Sequence, residues 1–561
     1  MTPKSNRRLA VFAGLAALSP ALAVSAAESP TDNPYLVNGQ ETLAARRALK
    51  PNTKPARNVI LFIGDGMDPT TVAAARIYDG QTRGEEGEEN FLSFEKFPYL
   101  AMSKTYNTDA QTPDSAGAMS AIATGVKTKI GVISLSDAVV TGNCASAKNA
   151  MVSTLGELSE RAGLATGIVS TSLITDATPA AVYAHAASRS WQSDASLPPE
   201  AVENGCRDIA RQLIEFPDGD GLDVVLGGGR GPFMPIEVAD PEAAAAKGAR
   251  RDGRNLTDEW TEKGNNRVYV WNKDMFDAID PATAPKVLGL FEPSVMKYET
   301  DRESDAAGEP SLVEMTKKAI EILRQDKDGY FLMIEGGRID HAHHAGNAAR
   351  ALKDAQALSQ AVAAAREMTS ENDTLIIVTA DHGHTLSFAG YPRKGSNILG
   401  LSTAIAGESD SPDEFARGAD GKRYTTLGYA NGPGSILEGQ KKAGERPDPT
   451  EEEVADVNYH QQSAIPSDAE THGGQDVTVY ASGPHAYLFG GVVEESYIFH
   501  VIDDALSLRK RAAAKLRLQP RSLSSISTAS PSMVTCDASS AAPQPALMTR
   551  MSAFRTSCFI T

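Results

Sequence analysis

The chain has 561 residues, enough to bury a large core, and its 41% hydrophobic and 22% charged residues are ordinary for a globular protein. Its formal net charge of −18 argues against nucleic acid and anionic membranes as partners, because both are bound through an excess of Lys and Arg. A small anionic substrate held locally by metal ions stays compatible with this charge.

The N-terminus has the features of an export signal. Basic residues precede an apolar stretch, and small residues near Ala26 and Ala27 offer a cleavage site. We therefore predict a signal peptide over residues 1–27, with an uncleaved anchor as the alternative. The arginine pair in NRRLAV also leaves a twin-arginine signal open. The mature protein is expected to be exported, periplasmic or extracellular, with no membrane partner after signal cleavage.

Beyond the signal, residues 28–56 are polar and contain proline, which predicts an extended lead-in to a domain at residues 57–507. Within that domain short apolar segments alternate with segments of helical periodicity. The predicted strands are NVILFIG, ATGIVSTS, LDVVLGGG, GYFLMIEGG, DTLIIVTA and DVTVYASG. The predicted helices are STLGELSERA, SLVEMTKKAIEILRQ and AARALKDAQALSQAVAAAREM. This alternation predicts an α/β fold with a mostly parallel sheet that is covered on both faces.

Two regions depart from that alternation. Residues 386–435 are rich in Gly, Ser and charge, which predicts an insertion that projects from the core. Residues 508–561 are basic, rich in Ser and Ala and without periodicity, which predicts a disordered tail.

The cysteines are interpreted through the expected export. In an oxidising compartment Cys144 and Cys206 are candidates for one disulfide, and two buried free thiols are the alternative.

Acidic side chains follow the last apolar residues of four predicted strands, and they are Asp65, Asp176, Glu335 and Asp381. Ligands of open α/β sheets bind beyond the carboxyl ends of the strands, so we expect these four acids to share one crevice. Carboxylates that close repel one another unless cations lie between them. The pattern therefore predicts a site with several metal ions.

The segment EGGRIDHAHHAGN supports the same interpretation. It carries three of the chain's ten histidines, His341, His343 and His344, beside Glu335 and Asp340. Imidazole nitrogen and carboxylate oxygen are typical ligands of zinc and similar ions, which favours a metal site over a polar loop.

A candidate nucleophile lies in the segment QTPDSAGAMSAIATGVKT. Ser115 precedes a run of small residues that is a candidate helix. Its hydroxyl is therefore either an ordinary helix cap or a nucleophile that an adjacent metal activates.

Six segments, taken together and in chain order, resemble the motifs of the alkaline phosphatase family over about residues 58–506. They are NVILFIGDGM, TPDSAGAMSA, TDATPAAVYAHAASR, EGGRIDHAHHAGN, TADHGHT and THGGQDV. The resemblance implies a three-layer α/β/α sandwich around a large, mostly parallel sheet, with the insertion forming a crown. It also implies two Zn²⁺ and one Mg²⁺ per chain.

The resemblance assigns site residues by position. The first zinc would be held by Asp340, His344 and His472. The second zinc would be held by Asp65, Asp381 and His382, with Ser115 as its reacting ligand. The magnesium ligands would be Asp65, Asp176, Thr178 and Glu335. Arg189 would bind the substrate phosphate through a bidentate fork, and His341 would act near the phosphate through water. His343 and His384 are expected to support the ligands or the fold, and Cys144 and Cys206 to form the disulfide.

The implied function is hydrolysis of small phosphate monoesters through a phosphoserine at Ser115, by a protein that is expected to be a homodimer. Asp176 matches the bacterial form of the magnesium site, whereas IDHAHHAG and THGGQDV match the animal form, so the identity of the third metal stays open. A phosphodiesterase or sulfatase of the same superfamily is the enzymatic alternative, although PDSAGAM lacks the sulfatase motif. A metal-binding protein without catalysis would leave Ser115 and Arg189 unexplained.

Overall fold

The computed structural model describes residues 33–243, 245–264, 266–283, 285–404, 414–436 and 446–518. The predicted signal peptide lies outside the described residues, and so does the predicted tail beyond residue 518. In the described part of the chain, no helix combines the length and the apolar character needed to cross a membrane.

The strands are β1 (Asn58–Gly64), β2 (Tyr99–Lys104), β3 (Ala165–Leu173), β4 (Val224–Gly228), β5 (Arg267–Val270), β6 (Lys286–Leu290), β7 (Tyr330–Gly336), β8 (Thr374–Thr379), β9 (Gly383–His384), β10 (Leu386–Phe388), β11 (Leu427–Gly432), β12 (Ser463–Pro466), β13 (His472–Gly473), β14 (Val477–Ser482) and β15 (Val492–Glu494). The α-helices are α1 (Pro34–Ala48), α2 (Pro69–Gln81), α3 (Ser115–Thr124), α4 (Cys144–Ala147), α5 (Leu155–Ala162), α6 (Ala177–Ala180), α7 (Pro199–Glu203), α8 (Ile209–Ile214), α9 (Leu256–Glu262), α10 (Lys273–Asp277), α11 (Leu312–Leu323), α12 (Arg338–His344), α13 (Ala348–Met368), α14 (Glu451–Val454), α15 (Tyr497–Leu506) and α16 (Leu508–Leu518).

The central sheet has ten strands in the order β15-β2-β14-β8-β1-β7-β3-β4-β6-β5. Strand β14 runs antiparallel to both of its neighbours, and the other neighbouring strands are parallel. Alternate residues of β1 enter two separate apolar clusters: Val59 and Leu61 lie in one, Ile60 and Phe62 in the other. A sheet that is buried on both faces needs helices on both sides, so the predicted α/β/α sandwich is confirmed.

The predicted helices begin and end where their sequences provide caps. Helix α5 starts with a capping box formed by Thr154 and Glu157, and it ends at Gly163, whose φ of 71° suits a residue without a Cβ. Helix α11 starts with the same kind of box, formed by Ser311 and Glu314. The six predicted strands are confirmed as β1, β3, β4, β7, β8 and β14.

Two expectations about the chain ends are wrong within the described residues. The extended lead-in contains the helix α1, which Asn33 caps by accepting from the N–H groups of Tyr35 and Leu36, with Pro34 in the first turn. The predicted disordered tail begins with the helix α16, which starts after Ser507 in a left-handed conformation. Its first residue, Leu508, is fully buried in the apolar core and anchors the start of the helix.

The proposed insertion starts from a small second sheet. Strand β10 pairs antiparallel with β11, which pairs parallel with β12. Leu386, Leu427 and Tyr429 anchor this sheet in the apolar core. The crown-like character of residues 386–435 stays a prediction.

The Cys144–Cys206 disulfide is present, with an S–S distance of 2.05 Å, so the free-thiol alternative is wrong. It joins the start of α4 to the residues after α7 and closes a loop whose ends are 62 positions apart.

Candidate metal centre and active site

The candidate site lies at the carboxyl edge of the central strands. Strand β1 lies between β7 and β8, and Ile63 is paired with both Glu335 and Thr379. Asp65 follows β1 and Asp381 follows β8, so the register brings their backbones to the level of Glu335 on the same edge. All three acids are buried.

Asp340, His344 and His472 form the first group. The short helix α12 places Asp340 and His344 one turn apart, and Nε2 of His344 lies 3.3 Å from Oδ1 of Asp340. Nε2 of His472 lies 3.4 Å from the same oxygen and 3.1 Å from Nε2 of His344.

The tautomers of these two histidines are set by backbone carbonyls. Nδ1 of His344 donates to the carbonyl of Glu470 at 2.6 Å, and Nδ1 of His472 donates to the carbonyl of Pro113 at 2.9 Å. A carbonyl only accepts, so in the neutral rings both Nε2 atoms carry lone pairs that face each other beside a carboxylate. Such a donor set fits a zinc ion.

Asp65, Asp381 and His382 form the second group. Nε2 of His382 lies 3.3 Å from Oδ1 of Asp65 and 3.5 Å from Oδ2 of Asp381. These two oxygens are buried and have no hydrogen-bond partner among the described residues. Buried polar atoms are normally paired, so the group has the ligand atoms of a second cation site. Oγ of Ser115 lies 3.1 Å from the same Nε2 atom.

The electrostatics of the crevice agree with bound cations. Burial raises the pKa of Asp65 well above its usual value, and the charges of Asp381 and Asp340 raise it further. Burial, together with the charge of Asp176, also raises the pKa of Glu335 to about 8. Carboxyl groups in this environment bind either protons or metal ions, and metal ions keep them ionised at neutral pH.

The expected magnesium ligands lie farther apart than the ligands of the two expected zinc ions. Glu335 accepts from the hydroxyl of Ser170, and Asp176 accepts from the hydroxyl of Ser172 and from Nε2 of Gln192 at 2.8 Å. In the described part of the chain, Asp65, Asp176 and Glu335 do not bring their oxygens into one compact group. The hydroxyl of Thr178 is nevertheless buried and has no partner among the described residues, so one oxygen donor of this set is free.

Ser115 is the first residue of α3 and is almost completely buried. Asp114 caps this helix by accepting from the N–H of Gly117 at 3.1 Å, and it also accepts from the guanidinium of Arg189 at 3.1 Å. Arg189 is held a second time by its backbone N–H, which donates to the carbonyl of Gly131 at 2.7 Å. The cap thus fixes the arginine beside the serine.

The other histidines of the cluster have different surroundings. Nδ1 of His341 lies 3.0 Å from a guanidinium nitrogen of Arg338. His343 is fully buried between the hydroxyls of Thr71 and Tyr429, at 3.1 and 2.8 Å, outside both ligand groups.

His384 connects the first group to an acid that the sequence analysis missed. It lies 2.9 Å from Oδ1 of Asp340 and 2.6 Å from Oε2 of Glu470. Burial alone would lower the pKa of His384, but these two hydrogen bonds raise it to about 10. Glu470 precedes His472 by two residues, and this proximity in sequence was the only available signal for it.

Comparison with known proteins agrees with this architecture. The family described as Alkaline phosphatase matches residues 56–508. The tissue-nonspecific alkaline phosphatase of Gallus gallus is 43% identical over 471 residues, covering 82% of this chain and 87% of that protein. The alkaline phosphatase of Gadus morhua is 42% identical over 470 residues, with coverage of 82% and 94%.

Two solved structures show the same fold at lower identity. The alkaline phosphatase of Thermus thermophilus is 22% identical, with 85% of this chain and 98% of that chain covered and a TM-score of 0.57. The enzyme from the Antarctic bacterium TAB5 is 22% identical, with coverage of 81% and 99% and a TM-score of 0.54.

The protein is a phosphatase, an enzyme whose substrates are small phosphate monoesters. The chain belongs to the alkaline phosphatase family.

Proposed function

We propose that this enzyme hydrolyses phosphate monoesters through a phosphoserine at Ser115, in a site that holds two zinc ions and one magnesium ion. The observation that carries the proposal is the position of the Ser115 hydroxyl. It lies 3.1 Å from His382, beside buried carboxylate oxygens that have no hydrogen-bond partner among the described residues.

The metal ligands follow from the two groups. Asp340, His344 and His472 would hold the first zinc. Asp65, Asp381 and His382 would hold the second. Asp65, Asp176, Thr178 and Glu335 would hold the third ion, for which magnesium is proposed because all four donors are oxygens. When bound, the ions would neutralise the carboxylates, lower the pKa of nearby hydroxyl groups and water, and stabilise charge on the phosphate oxygens.

The residues of the chain perform the transfer itself. Oγ of Ser115 attacks phosphorus, the bond from phosphorus to the alcohol oxygen breaks, and the alcohol leaves with a proton. Water then attacks phosphorus of the phosphoserine, releasing inorganic phosphate and restoring the hydroxyl.

The phosphate oxygens are bound from two directions. Arg189, held in place by Asp114, offers a planar fork of N–H donors. The N–H groups in the first turn of α3 offer further donors to an anion. His341 is proposed to contact the phosphate through water. Few groups of the site are assigned to the alcohol, so broad monoester specificity is expected.

Export and dimerisation are part of the proposal. The disulfide is consistent with an oxidising compartment, periplasmic or extracellular. Every residue of α1 is exposed, and its side chains include Tyr35, 70% exposed, and Leu43, 51% exposed. An isolated helix of this length gains little stability in water, so a second copy of the chain is the proposed partner that covers it.

The test is metal analysis together with turnover of the purified mature protein. We expect two zinc ions per chain, rapid hydrolysis of p-nitrophenyl phosphate, and much slower turnover of the matching diester and sulfate ester. Prolonged chelation should abolish activity, and zinc with magnesium should restore it. Active protein without zinc would contradict the metal assignment, and preference for the diester would favour the phosphodiesterase alternative.

A further inference from the structure

Arg338 and His341 make a contact that determines the state of the histidine ring. Both belong to α12, three positions apart and therefore on one side of the helix, and the guanidinium nitrogen lies 3.0 Å from Nδ1. Arginine cannot accept a hydrogen bond and does not lose its proton in proteins. Nδ1 of His341 must therefore be the acceptor, so the single N–H of the neutral ring is on Nε2, on the far side of the ring.

Arg338 is itself held from two sides. Its guanidinium carbon lies 3.6 Å from the centroid of the Tyr298 ring, a stacked cation–π contact. Its backbone N–H donates to the hydroxyl of Thr171 at 3.1 Å. A planar group that is stacked on a ring and anchored at its backbone has little freedom to leave the histidine.

We propose that Arg338 is a positioning residue that locks His341 as the Nε2–H tautomer, so that His341 offers one N–H donor to the phosphate of the substrate or to a water bound to it. This inference rests on the proposed function, which puts His341 at the edge of the phosphate. Because the only lone pair of the ring is engaged by Arg338, His341 is a donor in this site and does not act as a base.

The first experiment reads the tautomer directly in the metal-loaded wild-type enzyme. The chain has ten histidines, so labelling with ¹⁵N-histidine gives few signals, and the signal absent from His341→Gln identifies His341. We expect the nitrogen shifts of an Nε2–H ring. An Nδ1–H ring or a doubly protonated ring would overturn the inference, and this measurement needs no Arg338 variant to fold.

The second experiment removes the donor while keeping an apolar side chain on Tyr298. In Arg338→Met, the His341 signal should shift towards a mixture of tautomers. The inhibition constant of inorganic phosphate and the KM of p-nitrophenyl phosphate should both rise about three- to tenfold, the effect of one weakened hydrogen bond to a charged group. The matched control is Arg350→Met. Arg350 lies over the same ring at 5.4 Å and pairs with Asp301, so its loss should change neither the tautomer nor the inhibition constant.

The outcomes separate this inference from the proposed function. A wild type that does not hydrolyse monoesters would contradict the function, whereas the nitrogen shifts would still report the tautomer. An active wild type whose phosphate inhibition is unchanged in Arg338→Met, but weakened in His341→Gln, would overturn the role of Arg338 alone.

Discussion

Ser115 carries the proposed covalent step, and its replacement gives the sharpest test at the scale of a single residue. Ser115→Ala should lower kcat by several orders of magnitude and abolish the phosphoprotein that is trapped when wild type is quenched with substrate at mildly acidic pH. Zinc content should stay at the wild-type value, because the three protein ligands of each ion remain.

Peptide mapping of the trapped phosphate checks the assignment. The control is Ser120→Ala in the same helix. The Ser120 hydroxyl donates to the carbonyl of Val132 and should not be phosphorylated, so this variant should still give the trapped phosphoprotein. Phosphate found on Ser120 or Thr112, or full activity in Ser115→Ala, would refute the assignment of Ser115 as the nucleophile.

A second residue-scale prediction concerns pH and lies outside the active site. Burial, together with the charge of Asp223, raises the pKa of Glu160 to about 8. The folded state then binds more protons than the unfolded state between the ordinary glutamate pKa and about 8. The free energy of unfolding should fall through this range, by at most about 1.4 kcal/mol per pH unit.

Denaturant titrations from pH 5 to 9 test this in Glu160→Gln. The variant lacks the titrating group, so its stability relative to wild type should increase with pH up to about 8 and then level off. Glu262→Gln, a change to an exposed glutamate on α9, serves as the control and should run parallel to wild type. A difference between Glu160→Gln and wild type that does not vary with pH would show that Glu160 is ionised in the fold.

The site residues that could be predicted from the sequence differ from the others in whether a local sequence pattern marks them. Asp65 and Asp381 follow apolar strands directly, so strand periodicity alone points to them. Glu470 contacts His384, which is 86 positions away in the sequence. Nothing in the sequence around Arg338 distinguishes it from other arginines, and only its contact with His341 in the structure does so. Contacts of this kind depend on tertiary packing and leave no local pattern.

At the scale of elements, the disulfide should affect both the stability of the fold and the affinity of the site for substrate. The loop between Cys144 and Cys206 carries Asp176 and Arg189, so opening it should loosen the segment that is proposed to bind the phosphate. Cys144→Ala with Cys206→Ala should lower the free energy of unfolding by about 2–4 kcal/mol and raise KM.

Thermal and denaturant unfolding of the double variant check the prediction. The control replaces Cys536 and Cys558 instead, which changes the same number of cysteines and should leave stability and KM unchanged. Equal stability of wild type and the Cys144 and Cys206 variant in oxidising buffer would contradict it.

The helix α16 moves the predicted start of the removable C-terminal tail from residue 508 to residue 519. Ending the chain at residue 518 should leave the melting temperature nearly unchanged. Ending it at residue 507 removes Leu508, which is fully buried, and should destabilise the fold by about 1.5–3 kcal/mol. Calorimetry of the two truncated chains checks this, and equal melting temperatures would show that Leu508 contributes little.

Long or wholly apolar elements were predictable, whereas short or atypical ones were not. The 21-residue helix α13 and the buried strands β1 and β8 have clear patterns. Strand β5 has only four residues, and α1 has no buried residue from which an apolar stripe could arise. The cap at Asn33 followed by Pro34 was the remaining signal for α1.

At the scale of the whole molecule, α1 makes the proposed homodimer testable. Removing residues 33–49 takes away no buried side chain, because every residue of that segment is exposed. Light scattering should find a dimer for the mature protein and a larger fraction of monomer for the shortened one. A shortened chain that is as dimeric as the mature protein would show that α1 does not contribute to the interface.

The antiparallel pairing of β13 with β9 places His472 opposite His384. The site therefore cannot be completed until the chain has been synthesised as far as β13. Asp65 leaves the ribosome first, Asp340 and Asp381 follow, and His472 emerges last of these residues. A nascent or prematurely terminated chain that stops before residue 472 can build most of the parallel sheet and still lack one proposed ligand of the first zinc. Tight zinc binding would thus require a chain that includes His472. Fragments that end before this residue should bind zinc more weakly than the full enzyme when the metal is scarce.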